Sequence, residues 1–241
     1  MARHALNAIL FAATMYLSFS ARASPALSPQ AATLIAPVHD ALARVKANQA
    51  RQRLPQTVSE RLLRLEELDQ AGRDVMQMID LSPLPPVQRE AASTLAWNEI
   101  NAQDAADRAG LEALLPQQGW FTISSYGQAA SDAAWSVVQH QTNDPPFMAA
   151  MLTRMEGPAR RRDVNPRDFA LLYDRVAMVE NRPQTYGSQF VCTDHRWKLY
   201  KLNDPNQVDQ RRKALGLTET EEQVEAEIAS YAACFIPKHT G

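Results

Sequence analysis

The stretch Phe169–Phe190 reads FALLYDRVAMVENRPQTYGSQF, and its first half is a nearly unbroken apolar run typical of a buried helix. Asp174 and Arg175 lie in the middle of this run. Burying a charge without a partner is costly, so the rest of the fold must supply partners for both side chains. Neighbouring residues on a helix point about 100° apart, so these two cannot pair with each other. The sequence therefore predicts a separate buried partner for each charge.

The candidate partners of Asp174 are polar side chains from two other segments. They are Gln139, His140, Gln184, Tyr186 and Gln189. A pairing of His140 with Asp174 would suit catalysis, because a carboxylate orients an imidazole and raises its basicity. Ser188 or a bound water would then be the activated group.

This polar cluster has two interpretations. As a ligand site, it has His140 and Asp174 as the predicted catalytic pair. The predicted ligand-binding side chains are Gln139, Arg175, Gln184, Tyr186, Ser188 and Gln189. Amide, phenol and guanidinium groups on separate segments suit hydroxyl- or carboxylate-rich ligands. As an internal brace, the cluster would only fix one arrangement of helices, and spacing alone favours this interpretation, since structural networks produce similar patterns.

The chain has 241 residues, of which 45% are hydrophobic and 22% charged, with a formal net charge of −2. This composition fits one large soluble domain with a sizeable core. No half of the chain is strongly basic, so the charge pattern does not predict nucleic-acid binding. The sequence has no HExxH, CxxC or GxSxG motif and no glycine-rich phosphate loop, and Asp194-His195 alone is weak evidence of a metal site. No cofactor and no metal are expected.

The first 23 residues have the pattern of a secretory signal peptide. Arg3 and His4 precede the apolar segment Ala5–Phe19, and Ala21–Ala23 is an A-x-A cleavage site. The apolar segment is short for a membrane span, and no stop-transfer pattern follows it. We therefore expect an exported protein, periplasmic or secreted, with no transmembrane segment once the signal is removed.

Export gives the two cysteines a possible structural role. In an oxidising compartment, Cys192 and Cys234 are a plausible disulfide that ties the hairpin region to the last helix. Two buried free thiols are the alternative, and the sequence does not contain the Cα separation that decides between them.

Helix signals recur along most of the chain. The clearest N-terminal caps are Thr57 with Glu60, Asp144 with Pro145, and Asn165 with Pro166. Ser124 or Ser125 is expected to cap one further helix, and Gly157 is expected to end the methionine-rich one. A long helix should run from Pro86 to about Leu115, with Asp104 and Asp107 on a solvated face.

One segment near the C-terminal third has the pattern of strands instead. Gln189–Cys192 and Trp197–Leu202 are rich in aromatic and β-branched residues and flank a polar turn, which predicts a single β-hairpin. The predicted fold is therefore mainly α, a single multi-helix domain with one short hairpin. Its expected organisation is a signal peptide over 1–23, N-terminal helices over 24–86 that pack on or extend the domain, and a helical domain with the hairpin over 87–241.

Several spaced motifs resemble those of an uncharacterised bacterial domain family with the pattern GW…G…QH…DR…QxYG[TS]Q…RR…GL. They are Gly119-Trp120, Gly127, Gln139-His140, Asp174-Arg175, Gln184 to Gln189, Arg211-Arg212 and Leu215-Gly216-Leu217. The resemblance spans roughly Asp104 to Tyr231, and Ser188 stands where members often have Thr. The family is one of unknown function, so the resemblance implies a domain identity and no activity.

Two functions follow from these patterns. The first is an exported helical domain whose polar centre binds or hydrolyses a small polar or glycan-like ligand. The alternative is a non-enzymatic envelope protein in which the polar residues are an internal brace and the N-terminal helices contact an envelope protein. The sequence leaves open whether the protein is an enzyme.

Overall fold

The computed structural model describes residues 26–117, 119–193 and 196–217. The α-helices in these ranges are α1 (Pro29–Arg51), α2 (Val58–Met78), α3 (Pro86–Leu114), α4 (Ile123–Tyr126), α5 (Gln128–Gln139), α6 (Pro145–Arg160), α7 (Pro166–Val179) and α8 (Val208–Leu215). The strands are β1 (Phe190–Thr193) and β2 (Arg196–Leu199), and a 3₁₀ helix spans Pro205–Gln207. The mainly α fold with one hairpin is confirmed. The predicted signal peptide, residues 1–23, lies outside the described residues, and so does the predicted disulfide, because Cys234 is not described.

Three of the predicted caps form as expected, whereas neither Ser124 nor Ser125 caps a helix, since the N-cap residues of α4 and α5 are Thr122 and Gly127. Thr57 Oγ1 accepts the N–H of Glu60, and the Glu60 carboxylate accepts the N–H of Thr57, which completes a capping box at the start of α2. The Asp144 carboxylate accepts the N–H of Phe147 at the start of α6. At the start of α7, the side-chain oxygen of Asn165 accepts the N–H of Arg167. These local bonds explain why the helix starts were predictable from short sequence patterns.

Two predicted helix boundaries are wrong. The helix after Ser124 is not continuous, because Gly127 takes φ of +85° and separates α4 from α5. A left-handed φ of this kind is open to glycine at little cost. In α6, Gly157 does not end the helix, which continues to Arg160.

The core forms where α2 and α5 meet the other helices. α2 packs against α1, α3 and α5, while α5 also contacts α6 and α7. The larger apolar cluster includes the fully buried Leu62, Leu111 and Leu172. Each buried leucine contributes about 2 kcal/mol through removal of its apolar surface from water. A smaller cluster lies between α1 and α3 and includes Ile100.

Close approach of α2 to α3 depends on a small residue. A Cβ at Gly72 would lie 2.9 Å from Cγ1 of Ile100, so a larger side chain requires a shift of the Ile100 side chain or of the helices. This close contact lies next to Asp69 and Arg73 on the same helix, which are both buried. The packing therefore brings polar groups of α2 against α3.

Asp104 and Asp107 correct one expectation directly. Both are buried, with 5% and 1% of their surface exposed, rather than on a solvated face. They lie on the side of α3 that packs against α2 and α5. None of the helices in the described ranges is long and apolar enough to cross a membrane.

The hairpin lies beside the loop that follows α7. β1 and β2 pair antiparallel, with Phe190 opposite Leu199 and Val191 opposite Lys198. A further bridge joins Gln184 to Leu202 in parallel, so the loop before β1 is hydrogen-bonded to the chain after β2. This arrangement holds the segment 184–189 between α7 and the hairpin.

Candidate functional site

Asp174, on α7, is fully buried and holds the following loop through its carboxylate. Oδ1 accepts the backbone N–H groups of Thr185 at 2.7 Å and Tyr186 at 3.0 Å. Oδ2 accepts the N–H and the hydroxyl of Ser188 at 3.0 and 2.9 Å. All of these partners are donors, which favours the ionised carboxylate, whereas burial raises the pKa of Asp174 above its ordinary value. Asp174 therefore folds the loop back against α7.

Gln184 is also fully buried, and its amide is hydrogen-bonded. Nε2 donates to the carbonyls of Gln189 and Tyr200 at 3.0 and 2.9 Å. Oε1 accepts the N–H of Gln189 at 2.8 Å. Because both N–H donors are used and the side chain is fully buried, Gln184 acts in the folded chain as a connection between the loop and the hairpin.

Arg175 connects the same loop to the end of α5. Nη1 donates to Oε1 of Gln139 at 2.7 Å and to its backbone carbonyl at 3.1 Å, while Nε donates to Oε1 of Gln189 at 3.2 Å. The predicted need for separate partners is therefore met: Asp174 binds the loop backbone, and Arg175 binds two amide side chains.

Two arginines of α8 complete this structure from the other side. Arg211 donates through Nε to the carbonyl of Thr185 at 2.8 Å. Arg212 donates through Nη1 to the carbonyl of Tyr186 at 2.6 Å. We call Asp174, Arg175 and the segment 184–189 the loop brace. Its groups contact one another and the neighbouring backbone, as expected of a structural network.

His140, the residue that follows the last residue of α5, does not pair with Asp174. Its Nδ1 lies 2.9 Å from Oδ1 and 2.8 Å from Oδ2 of Asp69, on α2. The predicted pairing is therefore wrong, because α5 packs on α2 while the Asp174 carboxylate binds the loop that follows α7. An ionised carboxylate only accepts hydrogen bonds, so it keeps the proton on Nδ1. Nε2 has no hydrogen-bond partner among the described residues.

The Asp69 carboxylate is held by further groups. Gln70 donates through Nε2 to Oδ2 at 2.7 Å and to the Ser136 hydroxyl at 2.9 Å. Ser136 Oγ lies 3.5 Å from the same Oδ2. The Asp69 side chain is completely buried, whereas that of His140 is 17% exposed. Asp69 and His140 thus form a dyad in which the carboxylate is inaccessible to solvent and the imidazole is partly exposed.

Arg73 joins this dyad to α3. Its Nη2 donates to Oδ1 of Asp104 at 2.5 Å, and its Nε lies 3.9 Å from Oδ1 of Asp69, beyond hydrogen-bonding distance. Burial raises the pKa of Asp104, and Arg73 opposes this. Gln141 donates to the backbone carbonyl of Asp104 at 3.1 Å. Arg73 thus lies between two buried carboxylates.

Asp107 lies one helical turn further along α3. Its Oδ1 accepts a hydrogen bond from Nε2 of Gln103 at 2.9 Å, and its buried Oδ2 has no partner among the described residues. Burial raises the pKa of Asp107 to about 7. We call Asp69, Arg73, Asp104, Asp107 and His140 the polar centre.

A second group of carboxyl side chains consists of Glu66 on α2, Asp132 on α5 and Asp168 on α7. Burial, together with the adjacent Asp132, raises the pKa of Asp168 to about 8. Burial also raises the pKa of Glu66, with smaller contributions from Asp69 and Asp132. The described residues contain no group of three or more His, Cys, Asp or Glu side chains that could hold a metal ion.

A groove of about 370 Å³ opens beside the polar centre. Its walls include Asn101, Asp104, Arg108 and Glu112 from α3, and His140, Gln141, Asn143 and Asp144 from the α5–α6 connection. Arg108 binds the Asp144 carboxylate and lies 3.3 Å from that of Glu112. The Phe147 N–H, assisted by Arg108, holds the pKa of Asp144 below its ordinary value. The groove is thus polar, with several acceptor oxygens.

The structure brings most of the predicted site residues together in the loop brace or, for Gln139, in contact with it. They are Gln139, Asp174, Arg175, Gln184, Tyr186, Ser188 and Gln189. His140 follows Gln139 in sequence but contacts Asp69 in the polar centre. The catalytic and ligand-binding roles of these residues stay predictions.

The sequence interpretation missed Asp69, Arg73, Asp104 and Asp107 as candidates. A signal for them exists in the helical register. On α2, Asp69 follows Leu62 and Leu65 at the spacing of the buried stripe. On α3, Asp104 and Asp107 fall in the stripe that leads to Leu111. A carboxylate at an apolar-stripe position predicts burial, as it did for Asp174.

A family model described as a family of unknown function, DUF6624, matches residues 55–233. The match covers well over half of the chain and includes both the loop brace and the polar centre. It begins upstream of the motifs between Asp104 and Tyr231, so α2 with Asp69 is part of it. No curated protein and no solved structure matches the chain. The chain belongs to this family of unknown function, DUF6624.

Proposed function

We propose that the protein is an exported domain that binds a small polar ligand in the groove and hydrolyses it with His140 as the general base. One observation carries the proposal. Nδ1 of His140 is held by both oxygens of the buried Asp69, while the ring lines the groove and Nε2 has no partner in the described part of the chain. This is the arrangement in which a carboxylate orients an imidazole for proton transfer.

The proposed proton path uses only these two side chains. A water in the groove would donate its proton to Nε2 as its oxygen attacks the scissile bond of the ligand. The Asp69 carboxylate stabilises the imidazolium that forms, and the proton then passes from Nε2 to the leaving group. Gln70 and Ser136 support the step by holding Asp69 in place.

The expected location follows from the N-terminal sequence. The charged start, apolar segment and A-x-A site of residues 1–23 support export to the periplasm or medium. Detection of a mature chain that begins near Ser24 in the periplasmic or extracellular fraction tests this part of the proposal. A full-length chain that stays in the cytoplasm contradicts it.

Chromogenic probes test the activity without knowledge of the natural ligand. The purified mature chain is incubated with p-nitrophenyl acetate, p-nitrophenyl N-acetylglucosaminide and bis-p-nitrophenyl phosphate. We expect hydrolysis of at least one probe, with the rate reduced by about a hundredfold or more in His140→Ala, as is usual for loss of a general base. Hydrolysis of none of the three, or equal rates in the variant, contradicts the enzymatic proposal.

His39 offers a matched control. Its Nδ1 lies 2.9 Å from Glu99 Oε1, so it repeats the His–carboxylate contact, but its side chain is 70% exposed and lies outside the groove. His39→Ala should therefore keep full activity. Unfolding curves of both variants show whether a lost activity is only a lost fold.

The second candidate is a non-enzymatic protein that binds an envelope partner through its N-terminal helices. Leu54 and Leu63 are 76% and 42% exposed beside a second groove of about 490 Å³, which Leu63 lines. Exposed apolar side chains at a groove favour partner binding. In this case Leu63→Glu should abolish co-purification of an envelope protein that His140→Ala retains. Equal retention by both variants contradicts it.

A further inference from the structure

An aromatic side chain, Trp97, lies on α3 one helical turn before the first residue that lines the groove. Trp97 precedes Asn101 by four residues and Asp104 by seven, so the three side chains lie along one face of the helix. Asn101 and Asp104 line the groove. Helical side chains lean toward the N-terminus of their helix, which directs Asn101 toward the turn that carries Trp97. The indole is therefore the next surface beyond the groove along α3.

Trp97 is exposed and is linked to the polar centre by a charged side chain. It keeps 39% of its surface accessible, although a tryptophan is normally well covered. The guanidinium of Arg73 lies over the indole ring, 5.9 Å from its centroid. The guanidinium approaches the ring from one side, and the indole still keeps enough exposed surface to contact a ligand. The same guanidinium binds Asp104 at the groove wall.

The charges of the groove indicate the class of ligand. Asp104, Glu112 and Asp144 bring three carboxylates to its walls. Arg108, which also lines the groove, is bound to Glu112 and Asp144, and Arg73 is bound to Asp104. Because both arginines are already paired with carboxylates, neither favours an anionic ligand, whereas the carboxylate oxygens can accept further hydrogen bonds from hydroxyl groups. The amides of Asn101 and Asn143 add donors and acceptors suited to the same hydroxyls.

We propose that the ligand is a neutral saccharide of at least two rings, with one ring in the groove at His140 and another stacked on Trp97. Pyranose rings combine hydroxyl groups at their edge with apolar C–H faces, and an exposed indole face matches the latter. This inference rests on the proposed function of the groove and names its substrate class. Trp97 is a binding residue here and takes no part in proton transfer.

Calorimetric titration with defined saccharides tests the proposal. The probes are two neutral tetrasaccharides, cellotetraose and N-acetylchitotetraose, and one anionic counterpart, tetragalacturonate. We expect at least one neutral probe to bind and the anionic probe to bind more weakly. Trp97→Ala should lower the affinity for the neutral probe by about tenfold. Trp97→Phe should lower it by less, because a phenyl ring keeps part of the stacking surface.

Leu95→Ala is the matched control, since Leu95 is 51% exposed on the same helix but two residues away, on another face. The affinity of the Leu95→Ala variant for the neutral saccharides should equal that of the wild type. The proposal is overturned if neither neutral probe binds, if Trp97→Ala binds as tightly as the wild type, or if tetragalacturonate binds best. The proposed hydrolysis is tested separately, and His140-dependent cleavage of a chromogenic probe would stand even if the saccharide assignment failed.

Discussion

The loop brace and the polar centre are both built on a buried aspartate, but they satisfy it differently. Asp174 is surrounded by backbone N–H groups and one hydroxyl of a single loop. Asp69 is surrounded by the side chains of His140, Gln70 and Ser136, which come from α2 and α5. The brace thus holds its own backbone in place, whereas the centre holds side chains that can change protonation or position beside a groove.

The donors around a buried carboxylate decide whether it serves mainly stability or chemistry. A backbone N–H is a donor in every state of the protein, so the Asp174 site tolerates only an acceptor. An imidazole can donate or accept at either nitrogen, so the Asp69 site tolerates rearrangement. A network of fixed donors suits a structural role, and a network with a titratable member suits chemistry.

Asp174→Asn should destabilise the protein by about 3 kcal/mol or more, because the new amide N–H₂ would face backbone donors and leave them without an acceptor. Urea unfolding followed by circular dichroism measures this loss. Asp163→Asn is the control, since the Asp163 carboxylate also accepts an N–H and a hydroxyl, both from Ser124, but is only partly buried. A loss for Asp174→Asn no larger than that of the control would contradict the structural role of the brace.

Asp107→Asn should change how stability depends on pH. The folded pKa of Asp107 is raised to about 7, above the value of about 3.9 expected in the unfolded chain. The folded state therefore binds more protons between these values. The contribution of Asp107 to the free energy of unfolding is fully present below about pH 4. It declines toward about pH 7, by up to about 1.4 kcal/mol per pH unit.

The Asp107→Asn variant lacks this titration, so its stability should fall less over the same range. Urea unfolding at several pH values measures the difference. Asp80→Asn is the control. Hydrogen bonds from Ser82 lower the pKa of Asp80, so this substitution should change the pH dependence of stability only in more acidic solutions. A decline as steep as that of the wild type would show that Asp107 does not titrate in this window.

Asp69→Asn should cost about 1–2 kcal/mol, less than Asp174→Asn. The amide N–H₂ can donate to Nδ1 of His140 once the imidazole carries its proton on Nε2, so the contact survives in reversed form. The reversed tautomer no longer presents an acceptor to the groove, so hydrolysis should fall while the fold remains. Equal destabilisation by the two substitutions would remove the distinction between brace and centre.

Gly187→Ala should cost about 1 kcal/mol, because Gly187 takes a left-handed φ of +72° within the brace. The added Cβ would lie 3.4 Å from Cγ2 of Val208, a contact that requires little movement, so backbone strain is the main cost. Gly187→Asn should cost less, because asparagine adopts this conformation more readily. Thermal unfolding compares the two variants, and an equal loss would point to packing instead of strain.

Much of the fold was predictable from short patterns because its determinants are local. The capping box of Thr57 and Glu60 and the cap at Asp144 each operate within one helical turn, so the residues that form them are neighbours in sequence. Gly157 shows the limit of such patterns, because α6 continues through it. Packing against neighbouring elements overrides a weak local stop signal.

The candidate site was predictable only in part. The burial of Asp174 and its need for donors followed from its position in an apolar run, but the donors were loop N–H groups, which no side-chain pattern indicates. Asp104 was expected on a solvated face because its helix contains many polar residues. Its burial depends on how α3 is rotated against α2, where Arg73 meets it.

The helical class, most helix starts and the motifs that mark the family can be predicted from the amino-acid sequence alone. These depend on residue propensity, apolar period and hydrogen bonds over a few positions. Only the tertiary structure decided which carboxylate His140 faces. Asp69 and His140 are 71 residues apart, and their contact exists because α2 and α5 pack side by side. A pairing of that kind depends on the packing of the whole core, so no local pattern encodes it.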